Sequence, residues 1–178
     1  FGPANSISDD LTNFFYDKKY DNNGKFASLG KPNLEIIKIF LKDKYFTKKI
    51  PNSLDRNYFH KYIKRLKKLP KNDAICTSIH LILESIIILL KKKNFKNINN
   101  IIFTGGGRNN KYLFQILQKK LNLVKISKID DYGYNGNLIE SQMFGYLAVR
   151  SVKNLIISSK STTGARKSIS GGKVYNFN

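Results

Sequence analysis

Three consecutive glycines, Gly105 to Gly107, form the stretch of this chain whose residue types best suit ligand binding. The apolar run Ile101–Phe103 before them predicts a buried strand, and apolar residues at helical spacing from Tyr112 onward predict a helix. Because glycine has no Cβ, the turn between them lets a ligand approach main-chain N–H groups closely. The N–H groups of a first helical turn favour an anion, typically a phosphate.

The glycine loop, defined here as Gly105–Gly107, matches neither common phosphate-binding fingerprint. It lacks the G-x-G-x-x-G spacing of dinucleotide sites, and no Gly-Lys-Ser/Thr follows it as in a P-loop. Two interpretations therefore stay open from the residues alone. The loop contacts a phosphate or nucleotide, or it is a connection that merely happens to be rich in glycine.

The composition of the 178 residues, 41% apolar and 25% charged, is typical of one soluble globular domain. The single Cys76 cannot form an internal disulfide and fits a reducing compartment, so we expect a cytoplasmic protein. No signal peptide is visible. The run from Ala74 to Lys91 is shorter than a membrane span and is interrupted by charge, so it predicts a core helix and no membrane partner.

The net charge of +20 raises the question of a nucleic-acid partner. Nucleic-acid binding needs a basic stripe on one face or a known motif, whereas these lysines are dispersed along the whole chain. Only five residues are arginine, the side chain whose fork reads phosphates best. We therefore favour a compositional bias and expect no specific nucleic-acid partner, although the chain should adhere to polyanions.

Periodicity and cap residues predict the elements around the glycine loop. A strand at 123–127 after the loop's helix implies a β-α-β unit with parallel pairing and a right-handed crossover. Asn72 or Asp73 is the predicted cap of the long apolar helix, and its His80 is interpreted as a hydrogen-bonded core residue rather than a metal ligand. Helices are predicted near residues 6–15, 33–41, 58–69, 74–91, 110–120 and 138–153.

Six motifs, in order along essentially the whole chain, resemble the C-terminal half of anhydro-N-acetylmuramic acid kinases. The family patterns are Asp-x-Gly-Pro-x-Asn, Gly-x-x-Ala-x-x-Gly, Lys-Ser-x-x-Arg-x-x-Phe, Gly-Gly-Gly-x-x-Asn, Asp-Gly-Asp-x-x-Glu-Ala-x-x-Phe-x-x-Leu-Ala and a late Thr-Gly turn. The similar residues here are Phe1-Gly2-Pro3-Ala4-Asn5, Lys25 to Gly30, Ser53-Leu54-Asp55-Arg56 with Phe59, Thr104 to Asn110, Asp130 with Gly133 to Glu140 and Phe144 to Arg150, and Thr162 to Ala165.

The resemblance implies an α/β fold of the actin, heat-shock-protein-70 and sugar-kinase superfamily. It would be a partial ribonuclease H-like domain, rich in helix, with a short parallel sheet and its N-terminal strands missing. Residues 1–178 would be the C-terminal domain of a two-domain sugar kinase, truncated at its N-terminus. The family's general base, an Asp, is expected just before Phe1, so no catalytic residue is expected within this chain.

The resemblance also implies ATP and Mg²⁺ as cofactors and a small sugar as substrate. The reaction would phosphorylate 1,6-anhydro-N-acetylmuramic acid at O6 and open its anhydro ring with water. Asn5 and Glu140 would bind the sugar, no residue of this chain would ligate a metal, and a homodimer is an arrangement the resemblance allows. The nucleotide would contact Gly105, Gly106, Gly107 and Asn110.

Several alternatives stay open beside that interpretation. Asn52 replaces the family lysine, and Asn135 and Asn137 stand where the family carries aspartates, which puts an acidic role there in doubt. The spacing Asn137-x-x-Glu140 also fits a capping box, in which Glu140 only stabilises a helix start. If the chain is not part of a sugar kinase, it is a catalytically silent nucleotide-binding relative or a basic nucleic-acid-binding module.

We predict that residues 1–178 alone have no kinase activity, because the expected base and the partner domain are absent from them. The isolated chain should also be poorly stable, since an unpaired sheet edge remains where further strands would normally pair. The measurement is turnover of the anhydro-sugar by the purified chain with ATP. Detectable product from the isolated chain would contradict the prediction.

Overall fold

The computed structural model describes residues 2–49, 54–55, 57–92, 95 and 97–175, and the motif residues Phe1, Asn52, Ser53 and Arg56 lie outside that set. The helices are α1 (Ser6–Tyr16), α2 (Leu34–Leu41), α3 (Ile63–Leu66), α4 (Lys71–Lys91), α5 (Lys111–Lys120) and α6 (Ile139–Val152), and the strands are β1 (Asn100–Phe103) and β2 (Lys125–Lys128). Short 3₁₀ turns span Asn22–Gly24, Ala27–Leu29, Lys44–Thr47, Tyr58–Tyr62, Gly106–Asn109 and Ile129–Tyr132.

The long helix α4 is the centre of the core, as its apolar pattern predicts. Eleven of its first sixteen residues are buried, and α1, α2, α3, α5 and the turn Ala27–Leu29 pack around it. By length and composition α4 would also pass for a membrane span. However, 61% of its most apolar window is buried inside the protein, as expected for a core helix.

The predicted cap of α4 is wrong, because the helix begins earlier, at Lys71 after Pro70. Asn72 and Asp73 lie inside its first turn, where their side chains serve tertiary contacts instead. Asp73 accepts a hydrogen bond from the backbone N–H of Lys31 at 2.7 Å, and Asn72 accepts one from the hydroxyl of Tyr16. These side chains therefore hold neighbouring segments against the helix start.

The parallel pairing predicted around the glycine loop is confirmed, but the predicted burial of the first strand is wrong, because only Phe103 of the four residues of β1 is buried. Strands β1 and β2 pair in parallel, with Asn100 opposite Lys125 and Phe103 opposite Lys128, and α5 connects them. The fold is thus a helix-rich α/β fold with a short parallel sheet. Among the described residues the sheet has only these two strands, so one edge of β1 has no strand beside it.

His80 on α4 behaves as a core histidine, as predicted. Its Nε2 lies 3.3 Å from the hydroxyl oxygen of Tyr112, which also lies 3.3 Å from the sulfur of Cys76. Burial lowers the pKa of His80, and the nearby charge of Lys120 lowers it further. The neutral imidazole therefore belongs to the packing between α4 and α5.

A second packing centre surrounds the carboxylate of Asp43. The predicted helix 58–69 is instead a 3₁₀ turn, Tyr58–Tyr62, followed by the short α3, and this arrangement directs two tyrosine hydroxyls at one carboxylate. Tyr58 and Tyr62 donate to Asp43 at 2.7 and 2.8 Å, and Lys61 Nζ lies 2.6 Å from it. The rings of these two tyrosines pack in turn against Phe40, Tyr45 and Phe59, and Phe46 packs against Phe59.

Helix α6 has no buried residue, in contrast to α4. Its side chains include exposed large hydrophobic residues: Met143, Phe144, Tyr146, Val149 and Val152. The small residues Ser141, Gly145 and Ala148 would permit close packing on α6, yet a Cβ built on Gly145 would meet no described atom within 4 Å outside its own stretch of helix. The described residues therefore leave the apolar side of α6 uncovered.

We predict that Asp43→Asn removes an acid-sensitive part of the stability. Burial alone would raise the pKa of Asp43, but hydrogen bonds from Lys61, the Tyr45 N–H, Tyr58 and Tyr62 outweigh it and lower the pKa from 3.8 to about 2. A lowered pKa stabilises the folded state at pH values above the pKa of the unfolded state. This stabilisation is lost as the pH falls toward 2. The charge is thus worth about 2 kcal/mol at pH 7.

Urea unfolding of wild type and Asp43→Asn at several pH values between 7 and 2 measures this contribution. The variant should be less stable at pH 7 and should lose less free energy of unfolding on acidification. Asp17→Asn, at an exposed position after α1, is the control and should follow the wild type. Parallel pH profiles for wild type and Asp43→Asn would refute the assignment.

Candidate functional site

The glycine loop lies at the carboxyl end of β1, where the chain turns toward α5. Gly105 has φ +66° and ψ −169°, a conformation that residues with a Cβ rarely adopt. A 3₁₀ turn, Gly106–Asn109, separates it from α5, so the helix does not follow as directly as its pattern predicts. The carboxyl end of a parallel strand is the usual place for a ligand in an α/β sheet.

Open space surrounds the first two glycines of the loop. Among the described residues beyond its chain neighbours, a Cβ built on Gly105 or on Gly106 would meet no atom within 4 Å, whereas one on Gly107 would lie 3.3 Å from the Asn5 side-chain oxygen. The absence of side chains at 105 and 106 is therefore not required by packing within the described residues. It leaves room for another molecule beside the main chain.

Two clefts meet at the glycine loop and together contain every residue predicted to bind a ligand. A cleft of about 540 Å³ is lined by Asn5, Gly105–Gly107 and Glu140, together with apolar residues of α4 and β1. A second cleft of about 460 Å³ is lined by Asn5, Gly106 and Asn110. Asn5 and Gly106 border both clefts, so the predicted sugar and nucleotide residues lie in one connected region.

The smaller cleft also has a polar wall that the sequence analysis missed. It is formed by Ser8, Asp9, Tyr20, Asp21, Asn22, Asn23, Asn109 and Lys128. Asp21 shapes this wall by accepting the backbone N–H groups of Phe26 and Ala27, both at 2.9 Å. The Asp-Asn-Asn-Gly turn at 21–24 was visible in the sequence as a turn, but nothing local indicated that it would face the glycine loop.

Asn110 has a structural role besides the nucleotide contact predicted for it. Its side-chain oxygen accepts the N–H of Leu113 at 2.9 Å and caps α5, and only 7% of the residue is exposed. A Cβ on Gly24, whose φ is +73°, would clash with the same side chain. Asn110 therefore also holds the 21–24 turn close to the start of α5.

Glu140 is not part of a capping box, so that alternative is wrong. The residue that caps α6 is Leu138, no side chain makes a cap hydrogen bond there, and helix α6 starts at Ile139. Asn137 instead accepts a hydrogen bond from Arg108 Nη2 at 2.8 Å. Glu140 is exposed in the first turn of α6 and lines the larger cleft.

An ion pair between Arg108 and Asp130 connects the glycine loop to the segment that precedes α6. Arg108 is buried, its Nε donates to Asp130 Oδ2 at 2.7 Å, and its Nη1 donates to the carbonyl oxygen of Gly105 at 2.9 Å. The hydrogen bond from Arg108 lowers the pKa of Asp130. Both residues stand within recognised motifs, yet only the folded chain brings them together.

Among the described residues, no group of three or more His, Cys, Asp or Glu side chains is arranged to hold a metal ion. Asp9 and Asp21 are the acidic residues of the smaller cleft, and Glu140 is that of the larger one. Magnesium in nucleotide sites is commonly held by one or two carboxylates and the phosphates. The described residues of the two clefts therefore offer carboxylates singly or as a pair, and not as a cluster of three.

Comparison with known proteins places these features in a family. A family model described as anhydro-N-acetylmuramic acid kinase matches residues 1–177. Curated proteins named anhydro-N-acetylmuramic acid kinase are similar to it: 32% identical over 174 residues in Roseobacter denitrificans, 31% over 186 in Sulfurimonas denitrificans and 30% over 182 in Clostridioides difficile. These alignments cover 97–98% of this chain but 45–50% of each relative, so the chain spans about half their length.

We predict that Gly106→Val in the full-length protein weakens ATP binding much more than it weakens sugar binding. A Cβ at residue 106 would meet no described atom within 4 Å beyond its chain neighbours, so the new side chain enters the open space beside the loop. The melting temperature should therefore stay close to that of the wild type. Calorimetric titration with ATP and with the sugar, alongside a melting curve, measures the three effects.

Gly145→Val is the matched control, because Gly145 also has open space around it but lies in α6 outside both clefts. It should leave ATP affinity unchanged. If Gly106→Val instead lowers the melting temperature and weakens both ligands equally, Gly106 serves only the turn.

Proposed function

This chain belongs to the anhydro-N-acetylmuramic acid kinase family, and on that premise we propose that it forms part of an ATP-dependent sugar kinase. The enzyme transfers the γ-phosphoryl group of ATP to O6 of 1,6-anhydro-N-acetylmuramic acid. Water opens the anhydro ring in the same reaction and gives N-acetylmuramic acid 6-phosphate. The proposed role is cytoplasmic recycling of peptidoglycan and catabolism of amino sugars.

The observation that carries this proposal is the unfilled glycine loop between the two clefts. A backbone turn without side chains at the carboxyl end of β1 suits close approach of a nucleotide. In the proposed arrangement ATP lies against Gly105, Gly106 and Gly107 and reaches Asn110. Lys128, in the wall of the smaller cleft, supplies a positive charge toward the phosphates.

The sugar is proposed to bind in the larger cleft, between Asn5 and Glu140. Both residues line that cleft together with the glycine loop, so a sugar there lies next to a nucleotide held by the loop. Phosphoryl transfer requires mainly alignment of the reacting groups and neutralisation of charge. Mg²⁺ bound to ATP supplies part of that neutralisation and enters with the substrate.

The proposed chemistry balances with one carboxylate base. The oxygen of water attacks C1 of the sugar while the bridge bond between C1 and O6 breaks. O6 takes the γ-phosphoryl group and ADP leaves. A base accepts the proton of the water, and in this family pattern that base is the Asp expected before Phe1, so the residues of this chain bind and orient the two substrates.

The finer description of the fold is part of the same proposal. We infer a ribonuclease H-like domain, the C-terminal one of two, whose sheet continues beyond β1. The open edge of β1 and the uncovered apolar side of α6 support this, since further strands would cover both. The relatives, about twice as long as this chain, have enough additional sequence to provide them.

A catalytically silent nucleotide-binding relative is the second candidate, favoured by one specific observation. Asn135 and Asn137 replace the aspartates of the family pattern, and the Asn137 side chain is occupied by its bond from Arg108. This candidate keeps the glycine loop as a nucleotide site and predicts ATP binding without turnover. A kinase assay on the full-length protein, with ATP and the anhydro-sugar, separates the two.

We predict that Glu140→Gln in the full-length protein lowers the kinase rate by at least about tenfold, or ~1.4 kcal/mol of barrier. The amide keeps the size of the side chain but removes the charge that faces the sugar. Because Glu140 is exposed and makes no cap hydrogen bond, the melting temperature should not change. Steady-state kinetics and a melting curve measure both quantities.

Glu35→Gln is the matched control, since Glu35 is likewise an exposed glutamate in the first turn of a helix, here α2. It should retain full activity. Full activity in Glu140→Gln, with a lower melting temperature in Glu140→Ala, would leave Glu140 with a structural role only.

A further inference from the structure

The buried guanidinium of Arg108 contacts both chain segments that form the candidate site. Only 5% of the residue is exposed. Besides its bonds to Gly105 and Asp130, its Nη2 donates to Asn137 Oδ1 at 2.8 Å. An arginine remains charged in folded proteins, and its planar fork donates in fixed directions. One rigid group therefore sets the relative positions of the glycine loop and the segment 130–137.

The bond to Gly105 fixes the orientation of the peptide unit between Gly105 and Gly106. Its carbonyl oxygen accepts from Arg108 Nη1 at 2.9 Å and from the backbone N–H of Arg108 at 3.3 Å. In a trans peptide the C=O and the following N–H point in opposite directions. The N–H of Gly106 therefore points away from Arg108. Because glycine is free to adopt other conformations, this anchoring restricts a loop that its own residues leave mobile.

At the other end, the segment 130–137 folds around the same guanidinium. Asp130 Oδ1 accepts the backbone N–H of Gly136 at 3.3 Å, and a Cβ on Gly136 would clash with Arg108 Nε. Asn137, the last contact, lies two residues before α6 begins at Ile139. No residue of α6 is buried, so packing does little to hold this helix in place. The contacts of Arg108 with the segment 130–137 therefore restrain the start of α6, which carries Glu140.

We propose that Arg108 is a positioning residue that holds the Gly106 N–H and the Glu140 carboxylate in fixed relation at the larger cleft. Arg108 contacts neither substrate in this assignment. It acts through Gly105 on the nucleotide side and through Asp130 and Asn137 on the sugar side. The part of the inference that concerns the sugar, which is the positioning of Glu140, rests on the proposed function of Glu140. The part that concerns the nucleotide, which is the positioning of the Gly106 N–H, does not.

A double-mutant cycle in the full-length protein tests the coupling. Arg108→Lys keeps the charge, but one ammonium group cannot reproduce the fork that reaches three acceptors. At saturating ATP and sugar, Arg108→Lys should lower kcat about tenfold in the wild-type background and less than about threefold in the Glu140→Gln background. The effects of two substitutions at coupled residues are not additive. ATP affinity should fall by the same factor in both backgrounds, since Gly106 does not act through Glu140.

Arg150→Lys is the matched control. Arg150 also donates to a carbonyl and a side chain, Ile156 O at 2.6 Å and Tyr146 Oη at 3.1 Å, but it contacts neither segment of the site. It should retain the wild-type kcat and ATP affinity. An equal loss of kcat for Arg108→Lys in both backgrounds, or no loss in either, would overturn the coupling to Glu140.

Two further arms keep the result decisive. If Arg108→Lys does not fold, Asn137→Ala removes only an exposed acceptor, and kcat should then fall about threefold in the wild-type background alone. If the wild type has no turnover on the anhydro-sugar, the proposed reaction fails, and ATP titration still decides the nucleotide half. Weaker ATP binding by Arg108→Lys supports that half, and unchanged binding overturns it.

Discussion

The burial of α4 is the constraint on which the other elements depend. Its apolar residues are covered by α1, α2, α3 and α5 together, so none of these helices could leave without exposing it. Burying an aliphatic side chain is worth roughly 1.5–3 kcal/mol, and α4 buries such residues along most of its length. Helix α5 packs on it and connects β1 to β2, and this connection fixes the carboxyl end of β1 and the glycine loop.

Local patterns predicted the parts of the fold whose causes are local. The apolar spacing of α4, the helix from about Asn110 to Lys120 and the parallel pairing of the β-α-β unit each follow from a few neighbouring residues, and all are confirmed. The predicted cap of α4 and the alternative capping box of α6 are wrong for a common reason. Asn72, Asp73 and Asn137 are good cap residues by type, but each side chain binds a group distant in sequence. Sequence spacing alone contains no information about such partners.

The candidate site likewise combines features with local causes and contacts between residues that are distant in sequence. The glycine loop was recognisable as a candidate because three glycines follow an apolar strand, a pattern that also fits a connection merely rich in glycine. The polar wall of the smaller cleft and the pair of Arg108 with Asp130 were not, since they join segments that are separated along the chain. Asn5 and Glu140 entered only through resemblance to a family. Their common position beside the glycine loop is consistent with that resemblance, although ligand contact remains a prediction.

The exposure of α6 has a consequence for local stability. A helix of 14 residues is marginal in water on its own, and most helices are stabilised by packing one face. Without buried side chains, α6 can unfold without exposing additional core, so it belongs to the segments of lowest protection against hydrogen exchange. Covering its apolar side would add packing to a helix whose start Arg108 already restrains, and would order the turns that follow Glu140. The entropy of that ordering would be lost when the helix is covered, before any sugar binds.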